Sequence, residues 1–214
     1  MKYLFLVLVN LSFCCLAGCH TRSIAVADEG KAQQDPDYVI VSMTTMAFGK
    51  DVRVRAVIEE LKNSIDAIAG QRPRSRLVIT NLSTGKTLHT EECGDSVLST
   101  PGFTIERGPA LVMTTKGGSG DGVSVYEVTE SEARLVLEEA YRGAVITMPN
   151  NELAGDMGFL IVDGENGSSP LAVRRFQYSK EERRFVLAGT ASFAQFLKTV
   201  NAQFSNRPKP TGQG

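Results

Sequence analysis

Between Arg76 and Ala188 the chain is a succession of short β-branched and apolar runs, each closed by glycine, asparagine, aspartate or serine. Runs this short cannot shield their apolar side alone, so they must pair as strands. They read as Arg76–Thr80 and Lys86–Thr90, joined by the turn-rich stretch Asn81–Gly85, then Ala110–Thr115 and Val123–Val128 around the glycine-rich stretch Lys116–Gly122. Ala133–Glu139, Ala144–Met148 and Gly158–Val162 continue the series. Leu171–Tyr178 and Arg183–Ala188 form a last hairpin turning at Ser179-Lys180-Glu181-Glu182, with Phe176 expected opposite Phe185 as a cross-strand aromatic pair. Tyr38–Met43 is a further strand at the start. Breaks of a few residues favour pairing between neighbours, hence an antiparallel meander.

Two segments carry helical spacing. Asp51 is placed to cap a helix bearing Val54, Val57, Ile58, Leu61, Ile65 and Ile68 on one face, with Gly70 as its stop and Pro73 beyond. Near the other end, Ser192 and Gln195 fit a capping box, and Phe193, Phe196, Leu197, Val200 and Phe204 form a stripe suited to covering a core. The expected fold class is therefore α+β: a mostly antiparallel β-sheet, a sandwich or partial-barrel meander, with one helix near each end of the domain. Residues 38–205 hold one β-rich domain of about 165 residues, a normal size for a single core. No internal repeat or long low-complexity segment is visible. Residues 206–214 contain Pro208, Pro210, Gly212 and Gly214 and read as a disordered tail.

The N-terminus supplies an address. Met1-Lys2 precedes an apolar run from Tyr3, broken by Asn10 and Ser12 and shorter than the roughly 20 residues of a spanning helix. Small residues follow, which is the plan of a secretory signal peptide over 1–18. Leu16-Ala17-Gly18-Cys19 resembles the lipobox of bacterial lipoproteins. The resemblance covers residues 1–19 and implies cleavage before Cys19 by signal peptidase II, then lipidation of Cys19 with diacylglycerol and an N-acyl chain. More than one chain makes anchoring stable, at about 0.8 kcal/mol per buried methylene. The position after the cysteine is His20 rather than aspartate, so the resemblance favours the outer membrane, with the protein facing the periplasm. Residues 19–37 are polar and small and read as the lipidated N-terminus and a flexible tether.

Processing of this kind removes Cys14 and Cys15 and consumes Cys19, leaving Cys93 alone. No internal disulfide and no cysteine-based zinc site is then available. The full chain has 23 basic and 24 acidic residues, and loss of Lys2 makes the mature chain slightly more negative. That balance argues against nucleic-acid binding, which needs a concentrated basic surface. The glycine-rich stretches Gly117–Val125 and Asp163–Val173 are similar to turns of secreted β-propellers of the FG-GAP kind. The strand region of about 115 residues is short of four blades of about 40 residues or more, so the domain is not assigned to that family.

Candidate chemistry is sparse. His89 and Cys93 share a face on a strand but stand about 13 Å apart, too far for proton transfer. His89 is the only histidine of the domain, so any serine–histidine mechanism must use it, and Asp95, Ser96 and Ser99 nearby form no recognisable pattern. The pairs Glu91-Glu92, Glu138-Glu139 and Glu181-Glu182 point to opposite faces if extended, and so do not converge on one atom. Ser83-Thr84-Gly85-Lys86-Thr87 ends like a phosphate-binding loop, but the first glycine would fall at Thr80. Asp163 and Glu165 offer oxygen ligands for a cation without the register of a calcium loop. No cofactor or metal site is expected. Arg174, Arg175, Arg183 and Arg184 are the candidate partner-binding residues, because arginine anchors interfaces and binds carboxylates and phosphates. In the expected register Arg174 shares a face with Arg183, and Arg175 with Arg184.

The expected function is a membrane-anchored, non-catalytic binding or scaffolding module with an envelope protein partner. The alternatives are a periplasmic inhibitor or immunity-type lipoprotein and an envelope hydrolase with dispersed catalytic residues.

Overall fold

The computed structural model describes residues 35–62, 74–117, 120–148, 158–164 and 172–205. The β-branched run at Tyr38–Phe48 forms β1 and turns back through Gly49-Lys50-Asp51 into β2 (Val52–Leu61). Gly49 takes φ 62°, a left-handed conformation that glycine adopts without a steric penalty. β3 (Ser75–Asn81) and β4 (Thr87–Cys93) complete an antiparallel sheet in the order β1-β2-β3-β4. The Asn81 carboxamide closes the β3–β4 turn by accepting from the amides of Ser83 at 2.9 Å and Thr84 at 3.0 Å. This stretch is a side-chain-capped hairpin turn rather than a phosphate loop.

The same plan recurs twice. β5 (Asp95–Ser99), β6 (Ala110–Lys116), β7 (Asp121–Val128) and β8 (Ala133–Tyr141) form a second four-stranded meander. β9 (Gly143–Met148), β10 (Gly158–Asp163), β11 (Ala172–Ser179) and β12 (Arg184–Ser192) form a third. The protein is thus mostly antiparallel β-sheet, in three sheets, with a helix α1 (Phe193–Ser205) at the C-terminal end. Among the described residues each sheet runs as an antiparallel meander of sequence neighbours.

Two cores separate the three layers. Met46, Val54, Ala56, Ile58, Leu77 and Ile79 of the first sheet meet Leu98, Leu111, Met113, Tyr126 and Val128 of the middle one. Ala110, Val112, Val123, Val125, Val136 and Leu137 on the middle sheet's other face meet Phe159, Ile161, Phe176 and Phe185 of the third. Alternation along β6 and β7 therefore sends successive side chains into different cores, and this is why those strands read as continuous apolar runs.

Two expectations are corrected here. The helix over Asp51–Ile68 is not formed where the structure describes it, because Val52–Leu61 is β2; Ile65 and Ile68 lie outside the described residues. Val54 and Ile58 enter the core, while Val57 and Leu61 are buried on the opposite face. Burial on both faces of a strand reproduces the three-and-four spacing of a helix, and β-branched Val52, Val54, Val57 and Ile58 decide for the strand. The register of the last hairpin also differs. Ser179 pairs with Arg184 and Tyr178 with Phe185, so Phe176 faces Leu187 rather than Phe185. The loop keeps four residues but is shifted by one, to Lys180–Arg183, with Arg183 closing it at φ 53° in the left-handed region.

The C-terminal helix begins as its sequence requires. The Gln195 amide donates to Ser192 Oγ at 3.3 Å, and the Ser192 amide donates to Gln195 Oε1 at 3.2 Å, a reciprocal capping box. Phe193, Phe196 and Leu197 are only half-buried. Among the described residues no helix is long and apolar enough to cross a membrane.

Candidate functional site

β4 holds the densest group of reactive side chains. Strand alternation puts His89, Glu91 and Cys93 on its inner face, towards the middle sheet, while Glu92 points away. His89 Nε2 lies 3.0 Å from Glu91 Oε2, and the Tyr126 hydroxyl of β7 donates to Glu91 Oε1. The His89 and Tyr126 rings tilt against each other with centroids 5.3 Å apart. Glu91 therefore joins the two facing sheets through a buried phenol. Burial pushes the Tyr126 hydroxyl well above the ordinary tyrosine range, and the hydrogen bond and charge of Glu91 push it further. It is a proton holder at neutral pH.

Cys93 does not join this relay as a nucleophile. Burial pushes its thiol up and the nearby Glu91 charge adds to this, outweighing hydrogen bonds with Ser96 and the backbone at Leu77. A good nucleophile needs the reverse, a thiol lowered by a cation or a base. Ser96 lies 2.8 Å from Thr115, hydroxyl to hydroxyl, and the two are satisfied together. These groups hold one another in place between the two sheets. Glu91 and Tyr126 as partners of His89 went unnoticed in the sequence, because the contact crosses between sheets.

The arginines of the last hairpin separate into different roles. Arg174 is half-buried and tied to the fold: Nε donates to Asp163 Oδ2 at 2.6 Å, one terminal nitrogen to Glu139 Oε2 at 2.6 Å, the other to the Ala140 carbonyl at 2.5 Å. Its partners use up the Asp163 carboxylate, whose Oδ1 also accepts from the Arg142 amide at 3.2 Å. Asp163 is thus committed to an ion pair; Glu165 lies outside the described residues. Arg184 pairs with Glu182 at 2.9 Å on the surface, Arg183 stands 4.0 Å from Glu106, and Arg175 is half-buried on β11. Arg183 belongs to the turn, so the expected pairing of faces between Arg174 and Arg183 does not hold. Among the described residues, no three His, Cys, Asp or Glu side chains gather in a metal-holding group.

The exposed apolar surface lies elsewhere. On β1, Val39, Ile40, Val41 and Met43 are 41, 37, 52 and 49% exposed. Ser42 Oγ accepts the Leu98 amide at 3.1 Å, bringing β1 against β5, where Val97 is 56% exposed. Four large apolar side chains are thus exposed within five residues of β1. Grouped apolar exposure of this kind marks an interaction surface more often than single exposed residues do. β1 is also the outermost strand of its sheet, and its eleven residues contain no charge and no proline. The signal was present in the sequence as an uncharged run, but a strand's place at a sheet edge is set by topology. No protein-family model matches the chain, and no curated protein sequence matches it.

Proposed function

We propose that this chain is a lipid-anchored protein of the bacterial cell envelope, held at the outer membrane and facing the periplasm, that acts as a non-catalytic binding or scaffolding module. The observation that carries this reading is the open, uncharged edge of β1 with its exposed apolar side chains. The address comes from the likeness of Leu16-Ala17-Gly18-Cys19 to a lipobox. The expected tether, which joins the domain at Asp35–Asp37 just before β1, has a flexible-chain reach of about 20–25 Å, enough to let the body meet envelope partners near the membrane. Two apolar cores and a buried ion-pair network give a stiff body on which such an edge keeps its shape. Arg183 and Arg184 add a smaller exposed contact for an acidic partner.

Crosslinking intact cells, solubilising in mild detergent and recovering the tagged chain tests this. The expected result is a small set of envelope proteins, another copy of the chain included, recovered with the wild type and lost with Cys19→Ala. Recovery indistinguishable from that control would overturn the reading and move attention to hydrolase assays on His89→Ala.

A further inference from the structure

We infer that the open edge of β1 pairs with the β1 edge of a second copy of this chain, making a symmetric dimer on the membrane surface. This rests on the reading of that edge as the protein's interaction surface, and it names the occupant.

The edges of the three sheets differ. β4 carries Glu91 and Glu92, β8 carries Arg134, Glu138 and Glu139, and β12 opens with Arg184. β5 and β9 are only five and six residues long. Charges and short length are the usual ways in which an edge is kept from pairing. β1 has neither: it runs eleven residues without a charge. Its one irregularity is the bulge between Ile40 and Ser42, and from Ser42 to Phe48 its ladder with β2 is regular. On the far side of that regular stretch the backbone N–H and C=O groups have no strand partner among the described residues. Met43, Thr45 and Ala47 are exposed along it on one face.

An alternating row of amides and carbonyls is matched by another extended backbone, and not by a lipid surface. Headgroup binding would call for a basic cluster, whereas the ends of β1 carry Asp37, Lys50, Asp51 and Lys62, and the adjoining β2 sets Arg53 and Arg55 but also Glu59 and Glu60 beside it, so both signs are present. A second copy satisfies the edge by symmetry. Antiparallel pairing about a two-fold axis sets the same uncharged strand against itself, with no like charges opposed. The position of the anchor strengthens this. Every copy enters β1 directly from its tether, so all copies hold this edge at similar height over one membrane. Tethering raises the effective concentration to about the millimolar range, so an interface below the roughly 1,200 Å² of a stable soluble complex suffices.

The test uses the full chain in its native membranes. Single cysteines replace Met43, Thr45 or Ala47 in a Cys93→Ala background, and a mild oxidant is applied. In a two-fold antiparallel pair only the residue at the axis opposes itself, at about 5 Å between β-carbons, and each residue away separates the two copies by about 7 Å more. The expected result is a disulfide dimer strong at one of the three positions and falling off at the others. The parent without an added cysteine gives none. A lysine at a neighbouring exposed position, such as Thr45→Lys or Ala47→Lys, cuts the yield by about tenfold or more. A photo-crosslinking side chain at Val41 is read in parallel by mass. An adduct with a different envelope protein, without a disulfide dimer at any position, would overturn the second copy and leave the edge as the interaction surface. No protein adduct and no dimer would overturn both.

Discussion

Replacing Glu127 by alanine is expected to cost about 3–5 kcal/mol of folding stability, the usual penalty for removing one partner of a buried ion pair. Glu127 is 1% exposed on β7. Its Oε1 accepts the amides of Glu106 at 2.9 Å and Arg107 at 2.5 Å, and its Oε2 accepts from the Arg134 guanidinium at 2.6 Å. Arg134 in turn donates to the Tyr178 hydroxyl at 3.1 Å and to the Arg183 carbonyl. One carboxylate therefore fixes the β5–β6 loop to the middle sheet and, through Arg134, the middle sheet to the last hairpin. Alanine would leave two amides and a guanidinium without their acceptor; Arg134 Nε already has no partner among the described residues. The exposed pair Arg107–Glu132, at 3.0 Å, is the control, and Glu132→Ala should cost less than about 1 kcal/mol. Burial pushes Glu127 up, but hydrogen bonds from the Arg107 amide, the Arg134 guanidinium and the Glu106 amide outweigh it and hold its carboxyl below the usual range. A carboxyl lowered in the folded state stabilises fully above its unfolded value of about 4.3, and this is lost as pH falls through the folded value. Urea unfolding should thus show the gap between wild type and Glu127→Ala shrinking as pH drops below about 4. A constant gap would mean that the carboxylate's charge is not what matters.

Phe159→Ala is expected to cost about 3–5 kcal/mol as well, by a different route. Phe159 is fully buried on β10, with its ring 4.8 Å from that of Phe185 and 5.7 Å from that of Phe103. It lies at the centre of the core between the middle and third sheets. Truncation removes aromatic contacts and leaves a cavity that a three-layer stack cannot easily close. The exposed Leu187→Ala should change stability by less than about 0.5 kcal/mol. Hydrogen exchange should place the loosening in β10 and β11, with β2 and β3 unaffected, because the first sheet packs on the other core. Uniform loosening of all three sheets would show that the layers do not act as separate packing units.

Much of the fold was legible because turn chemistry is local. Asn81–Gly85 announced a hairpin, and the structure closes it with the Asn81 side chain; Ser192 and Gln195 announced a helix start and bond reciprocally. What stayed hidden depends on layers. β2 imitated a helix because both of its faces are covered. The threefold recurrence of a four-stranded meander left no sequence repeat, since the middle sheet buries two faces and the outer two meet different surroundings. Backbone constraint was likewise invisible at Gly108, where a β-carbon would fall 1.7 Å from the Val128 carbonyl oxygen. His89 was singled out in the sequence, but its partners Glu91 and Tyr126 emerged only with the facing of two sheets. Arg174 read as a surface anchor until the fold brought Asp163 and Glu139 to it. The exposed edge of β1 was a strand in the sequence and an interaction surface only once its place in the sheet was known.

The proposed lipid on Cys19 would tether this β-sheet protein to a membrane. Mass spectrometry of the protein extracted from membranes and cut with trypsin tests it most directly. Cleavage after Arg22 should release the peptide Cys19–Arg22, carrying the added mass of one diacylglyceryl group and one further acyl chain. Recovery of peptides that retain residues before Cys19, or of an unmodified Cys19, would contradict the account.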